Sequence, residues 1–527
     1  MTTIRLEEPR KLRHLLQLLG VMALAAVVNF YGLSLSPLWL DEASALAFAS
    51  QNLDDLWGER ARLEVNPPLY FTLLHWWLGF GTSEAALRSL SAVIGILAVL
   101  PVYGIGRILG GTRAGLLAGL LFASAPFFVY FAQEARSYVL LNLAATTAIF
   151  GLYYLLTDPQ RALRPIGSSL RGSPSWTPAE ALRSDLAWLA YLLGTATALY
   201  SHNTGAFLPL ATNMVAVVWW FLRGETKRQF VFNWVAANAL PFLLWLWWLP
   251  SIVEQSASSS AEAWWFPVAT PEQIVQSARS VFGQGYLTHA LPFISPLPHL
   301  VLPLALVWGL WTLRHRLLVA APVLFIMAAV PVLMALTSYV VPMWGARILI
   351  WPAALAFVVV AFGLASIANP LVRRLLIGVV LAVQVGNLVS YYGAQTRDRV
   401  HFEPWDDFAA ALASRAGDGD AIVFLRVGGV SAVYDYYNLV PQLPRYSIDS
   451  FGLPERADRT APMVPPEQLG EIVARYDRVW GVGRICQNQA TCHPWIDLGP
   501  SGGNMTLVWQ SRLLKLYKLE KREVSEN

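Results

Sequence analysis

Long apolar stretches recur along the first three quarters of this chain, near 14–34, 84–108, 114–131, 138–156, 186–201, 204–222, 230–249, 299–313, 317–338, 346–367 and 374–392, each bounded by charges, Pro or Gly. A hydrocarbon core of roughly 30 Å is crossed by about 20 apolar residues in helical form. Lipid offers no partner to a bare peptide group, so only segments that satisfy their own backbone hydrogen bonds can sit there. The pattern therefore predicts a polytopic α-helical membrane protein with about eleven transmembrane helices. Composition agrees: 55% of the residues are hydrophobic and 14% charged, with 22 tryptophans, a balance that excludes an ordinary soluble domain of this size.

The first stretch follows Arg5, Arg10, Lys11 and Arg13 and could be taken for a signal peptide. No small-residue cleavage site follows it, and it leads straight into a polar motif, so it reads as an uncleaved helix with a cytoplasmic N-terminus. Alternating the loops from there puts 17 Lys and Arg on the cytoplasmic side and 6 in the opposite loops before residue 393, although the latter are longer in total. That asymmetry is the positive-inside bias, and an odd number of spans leaves residues 393–527 outside. The net charge of +4 is then largely topological and argues for no nucleic-acid partner.

Residues 393–527 read as a small exterior α/β domain, with strands expected at Ala421–Leu425, Arg478–Val482, Met505–Trp509 and Leu514–Leu519 and helices at Pro404–Ser414 and Pro466–Tyr476. Domain organisation is thus 1–392 in the membrane and 393–527 exterior. Within the membrane part, exterior loops are expected at 39–83 and 250–298. Both cysteines, Cys486 and Cys492, lie in the C-terminal segment and form a disulfide candidate in an oxidising compartment, the alternative being two thiols. No repeat, phosphate-cradling Gly-rich loop or dedicated metal-ligand cluster is visible.

The polar chemistry gathers in the exterior loops. In Trp39-Leu40-Asp41-Glu42-Ala43 two adjacent carboxylates follow the first span. Either they cap a helix N-terminus, where the macrodipole favours an acid, or one of them removes a proton from an incoming hydroxyl or amine. The same loop continues with Asn66-Pro67-Pro68-Leu69-Tyr70 and a run from Phe71 to Phe80 too short to span. With Ser44–Trp57 this predicts two juxtamembrane helices, their Trp and Tyr residues serving first as interfacial anchors. The next exterior turn, Gln133-Glu134-Ala135-Arg136-Ser137-Tyr138, offers an arginine suited to bidentate contact with phosphate, although Glu134 and Arg136 can equally pair with one another. His202 and Asn203 close the fifth span, and Arg347 opens the tenth, where an arginine can also simply snorkel. An acid, two arginines and a histidine on one membrane face suit a reaction with a phosphate leaving group.

The order Leu40-Asp41-Glu42, Asn66-Pro67-Pro68-Leu69-Tyr70, Arg88-Ser89-Leu90-Ser91, Gln133 to Tyr138, Tyr200-Ser201-His202-Asn203 and a late Arg347 resembles the GT-C glycosyltransferases over roughly 14–392. Within them it is most similar to the bacterial branch of protein O-mannosyltransferase-like, aminoarabinose transferase-like and lipid A galacturonosyltransferase-like proteins. The resemblance implies a GT-C fold in a bacterial plasma (inner) membrane, with the C-terminal domain periplasmic. It implies sugar transfer from a polyprenyl-phosphate donor to a lipid, glycan or protein acceptor on the exterior face, among membrane lipids. It makes Asp41 the base, Glu42 its neighbour or orienting acid, and Glu134 an acceptor-site or second acidic residue. Arg136, Arg347 and His202 become donor-phosphate ligands, and Asn66, Tyr70, Arg88, Tyr138 and Asn203 further pocket candidates.

The chain departs from some relatives in having no Lys in the exterior loops before residue 393 to set beside the phosphate. Divalent-metal dependence stays open, since some relatives use one and no cage is visible here. Selectivity for sugar or acceptor is expected in the 250–298 loop, with Trp264, Trp265, Gln284 and Tyr286. Competing readings are a multi-spanning transporter or lipid flippase, and a catalytically inactive family member. Transporters place polar residues near mid-depth and often repeat internally; here the charges lie on one face.

Overall fold

The computed structural model describes residues 4–58, 64, 66–171, 177–222, 227–254, 267–283, 297–397, 403–425, 430–448, 460–484, 504–511 and 514–520. Cys486, Cys492, Trp264, Trp265, Gln284 and Tyr286 lie outside the described residues. The chain divides into two compact units: Met1–Gly32 with Val65–Tyr70 and Arg88–Gly393, and Leu33–Glu64 with Phe71–Leu87 and Ala394–Asn527. Most of the first loop, which carries Asp41, therefore folds with the C-terminal domain.

In the first unit the described residues include helices at Ile4–Phe30, Glu84–Ser124, Pro126–Ala132, Tyr138–Leu156, Pro178–Ser201, Phe207–Leu222, Lys227–Trp245, Leu297–Leu313, Leu317–Ser338, Ile350–Ala365 and Pro370–Arg397, although Glu84–Leu87 and Ala394–Arg397 cluster with the second unit. Among the described residues eight helices are long and apolar enough to cross a membrane, and two of these runs, Glu84–Ser124 and His299–Ser338, hold 41 and 40 residues. At about 1.5 Å per residue each is roughly twice as long as one crossing needs. Both are broken midway. The first breaks at Gly110 and Gly111, where Gly111 has φ 78°, a conformation that costs a side-chain-bearing residue about 1 kcal/mol or more. The second breaks at the 3-10 turn Arg314–Arg316, and Arg316 donates to the Leu109 carbonyl at 3.3 Å, closing the helix end that the glycines open. The Pro178–Ser201 helix is long enough to cross but too polar to be among the eight. The stretch expected as one span at 114–131 is interrupted at Ala125, because Pro126 has no N–H to continue the ladder.

Lipid tails are as apolar as leucine, so helices in a bilayer associate through close packing rather than water exclusion. The Tyr138–Leu156 and Pro178–Ser201 helices meet at glycines. A Cβ on Gly151 would lie 2.4 Å from the Ala187 carbonyl oxygen, and one on Gly194 would lie 2.6 Å from the Ala144 oxygen. The Ile350–Ala365 helix is apolar on every side and is buried along Ile350 to Leu364, as expected for a helix surrounded by protein.

The second unit holds the juxtamembrane helices Leu40–Ala49, Leu53–Trp57 and Leu69–Trp77 and an α/β domain, although Leu69 and Tyr70 themselves cluster with the first unit. The first helix begins at Leu40, not Ser44, and ends where the Asn52 side chain caps a new one by accepting from Asp55 N at 2.8 Å. The sheet comprises β1 Ala421–Phe424, β2 Arg445–Ile448, β3 Met463–Val464, β4 Val479–Arg484, β5 Asn504–Gln510 and β6 Leu514–Glu520, in the order β3-β2-β1-β4-β6-β5. Its first four strands run parallel, and β6 joins β4 and β5 antiparallel. Alternate residues face opposite layers. Ile422, Phe424, Trp480 and Val482 pack with Trp405, Phe408, Val433 and Tyr434, whereas Ala421, Val423 and Val479 pack with Leu469, Ile472 and Val473. Two strands, β2 and β3, and the Val430–Tyr437 helix were not expected from the sequence; all three are short, and β3 has two residues.

Candidate active site

The turn between the Pro126–Ala132 and Tyr138–Leu156 helices is held by a residue whose importance the sequence does not announce. Gln133 Nε2 donates to the carbonyls of Asn29 (3.1 Å) and Tyr31 (2.7 Å), groups that a helix end leaves without partners. The Tyr391 hydroxyl donates in turn to Gln133 Oε1 at 2.9 Å. With Gln133 latched, the chain reverses through Glu134 and Arg136, where Arg136 N meets the Glu134 carbonyl at 2.7 Å, and starts the next helix at Tyr138. Glu134 and Arg136 are both buried.

Tyr138 gathers the rest of the site. Arg347 Nη1 donates to its hydroxyl at 3.2 Å, and the His202 ring lies 5.5 Å from its ring, centroid to centroid. Arg347 reaches this point from the 3-10 turn Ala346–Leu349. The turn is steadied by the preceding Trp344, whose backbone N–H donates to Pro267 O and whose indole N–H donates to Ser277 Oγ, both at 3.1 Å. His202 stands where the Pro178–Ser201 helix ends: its backbone is extended (φ −160°, ψ 142°) and its ring turns back to cap the next 3-10 turn, accepting from Thr204 N at 3.1 Å.

Burial, and then the guanidiniums of Arg136 and Arg347, push the His202 imidazole down to about 3 from its usual value near 6.5. A neutral histidine between two cations is a group of donors, fit to receive an anion.

Other candidates are placed differently. Tyr70 is fully buried and shares a 2.8 Å hydrogen bond with Ser91 Oγ, within a turn of the buried Arg88. The buried Oδ1 of Asn66 has no hydrogen-bond partner among the described residues. Asn203 Oδ1 accepts the Trp248 indole N–H at 2.8 Å, which gives it a packing role.

Asp41 and Glu42 belong to the second unit. There the capping duty falls to Glu42, which is buried and accepts from the Trp39 N–H at 3.4 Å through Oε2, while Asp41 is half-buried beside it. Their helix packs on the Val430–Tyr437 helix, with Ala43 in the same apolar layer as Val433 and Tyr434. The hydroxyl of Tyr437 accepts Leu38 N–H at 2.7 Å and donates to Glu84 Oε1 at 2.8 Å, and that of Tyr436 donates to the Thr82 carbonyl at 2.9 Å. Among the described residues no three His, Cys, Asp or Glu side chains are grouped so as to hold a metal ion.

Residues 66–168 match the family described as dolichyl-phosphate-mannose-protein mannosyltransferase. The match contains Asn66, Tyr70, Arg88, Glu134, Arg136 and Tyr138 and stops short of His202 and Arg347. No curated protein matches the chain in sequence. Among solved structures, ArnT from Cupriavidus metallidurans in the apo state is similar at TM-score 0.57 and 13% identity, over 95% of this chain and 97% of that one. The same enzyme bound to undecaprenyl phosphate gives TM-score 0.57 and 15% identity over the same shares. The chain thus has the ArnT-like GT-C fold, and its 66–168 segment matches the dolichyl-phosphate-mannose-protein mannosyltransferase family.

Proposed function

We propose that this protein is an integral membrane glycosyltransferase that moves a sugar from a polyprenyl-phosphate carrier to an acceptor on the exterior face of a bacterial plasma membrane. The observation that supports it most is the convergence of Arg136, His202 and Arg347 around Tyr138. Two permanent cations and a neutral histidine suit a phosphate whose negative charge grows as it departs. That ArnT, which shares the fold, binds undecaprenyl phosphate supports the choice of carrier.

The donor already carries its leaving group, so a base, charge stabilisation and positioning suffice. In the proposed step the Asp41 carboxylate takes the proton of the acceptor hydroxyl or amine. The acceptor atom bonds to the anomeric carbon as the bond from that carbon to the phosphate oxygen breaks, with inversion. The electron pair of that bond leaves on polyprenyl phosphate, held by Arg136, Arg347 and His202. No covalent sugar–enzyme intermediate is needed. Glu42, which caps the helix, keeps Asp41 in place, and Glu134 is assigned to the acceptor side.

The test is transfer by purified protein from a set of short-chain polyprenyl-phosphate sugars, read as release of free polyprenyl phosphate with labelled product. Asp41→Asn is expected to lower turnover about a hundredfold or more while leaving carrier binding intact. Turnover in Asp41→Asn equal to wild type removes Asp41 as the base.

A further inference from the structure

Thr204 holds the His202 imidazole from one side: its backbone N–H lies 3.1 Å from Nδ1 and its hydroxyl 2.8 Å. The hydroxyl could act either way, but a backbone amide only donates, so Nδ1 is an acceptor. A neutral imidazole with its Nδ1 lone pair engaged carries its proton on Nε2. This assignment follows from the direction of the amide and from no hydrogen position. The ring is kept neutral by burial first, and then because an imidazolium beside Arg136 and Arg347 would be a third cation in one pocket. Nε2 has no hydrogen-bond partner among the described residues.

We propose that His202 serves the phosphate pocket as a neutral donor of fixed tautomer, its Nε2–H bonding a phosphate oxygen of the carrier. This rests on the phosphate reading above and specifies which atom acts. The charge balance favours it. The sugar-bearing carrier is a phosphodiester with one negative charge; the departing polyprenyl phosphate is a monoester that tends toward two. Two guanidiniums match that final charge, and a third cation would hold the product back. A neutral N–H instead strengthens as charge builds on the oxygen it faces, so it assists departure without adding to the pocket's charge. Tyr138 is placed to do the same, because its oxygen accepts from Arg347 and its own O–H proton is left to donate.

Side-chain geometry gives a discriminating test. The amide nitrogen of glutamine reaches where the Nε2 of histidine sits, whereas that of asparagine reaches only as far as Nδ1. His202→Gln is expected to bind undecaprenyl phosphate within about threefold of wild type, and His202→Asn roughly tenfold more weakly. In full-length protein labelled with 15N-histidine, the signal absent from the His202→Gln spectrum is expected to show Nε2 protonated and Nδ1 bare from about pH 7.5 to about pH 5.5. Its Nε2–H resonance is expected to move on adding undecaprenyl phosphate.

A proton on Nδ1, or equal affinity for His202→Gln and His202→Asn, overturns this inference. Arg136→Ala and Arg347→Ala separate the two levels. If they lose affinity and the histidine variants do not, only the role of His202 falls. If both bind undecaprenyl phosphate as wild type does, the phosphate reading falls with it.

Discussion

The hydroxyl of Tyr437 accepts the backbone N–H of Leu38 at 2.7 Å, three residues ahead of Asp41 and 399 positions away in sequence. By also donating to Glu84 at 2.8 Å, it ties the start of the acidic helix to Glu84, which folds in the same unit, through one half-buried oxygen. The C-terminal domain is thereby part of the support of Asp41. Tyr437→Phe removes both bonds and is expected to destabilise the protein by about 1–3 kcal/mol. Steady-state kinetics is expected to show a lower kcat with little change in donor KM. An unchanged kcat would separate the domain from the chemistry.

The two adjacent acids are expected to behave differently. Glu42 caps the helix through a carboxylate oxygen, a role glutamine can fill, so Glu42→Gln should melt near wild type and retain measurable transfer. Glu42→Ala should lose about 1 kcal/mol of stability. Asp41→Asn should melt normally and fail in transfer. Thermal melts and turnover measured side by side test the division, and a Glu42→Gln enzyme as inactive as Asp41→Asn contradicts it.

Gly194 is expected to tolerate no side chain. The Cβ of an alanine there would lie 2.6 Å from both the Ala144 oxygen and the Ala148 nitrogen, so the two helices must separate, at a cost of about 1–3 kcal/mol for alanine and more for leucine. Melting temperature in detergent checks this, and a Gly194→Leu protein that melts like wild type would disprove the helix contact.

His202 makes stability depend on pH with a defined sign. Its imidazole sits near 3 in the folded protein, because of burial and of Arg136 and Arg347, against about 6.5 when unfolded. Between those values the unfolded chain binds the extra proton, so the folded state loses stability as pH falls below about 6.5. Among the described residues the charged groups acting on the ring are the guanidiniums of Arg136 and Arg347, and the ring lies against that of Tyr138. The melting temperature of wild type is expected to fall more than that of His202→Gln between about pH 7 and about pH 5. Parallel curves would contradict the assignment.

What the sequence could say, and what it could not, follows the range of the forces involved. Spans are written in local hydropathy, so the stretch near 138–156 coincides with the Tyr138–Leu156 helix, and the charges near 107–113 and 314–316 mark real helix breaks. Residues at helix ends, such as Arg136, Tyr138, His202 and Arg347, stood out because an apolar run does not need them. Gln133 and Tyr437 did not stand out, because each acts through a partner that only the fold brings near, and Thr204 did not because its bond to the neighbouring His202 depends on how that ring turns. Asn203, singled out by sequence, is engaged by Trp248. The folding of the Asp41 helix with residues 394–527 was equally hidden, since no local pattern records a contact across about 400 residues.

The central claim is that Arg136 and Arg347 hold the phosphate of a polyprenyl carrier, and the most direct measurement is the rise in melting temperature of purified protein on titration with undecaprenyl phosphate. Wild type is expected to show a saturable rise. Arg136→Ala and Arg347→Ala are each expected to require roughly ten to a hundred times more carrier for the same rise, the loss of a charge-assisted hydrogen bond. A rise equal in all three proteins, or absent from wild type, would contradict the account.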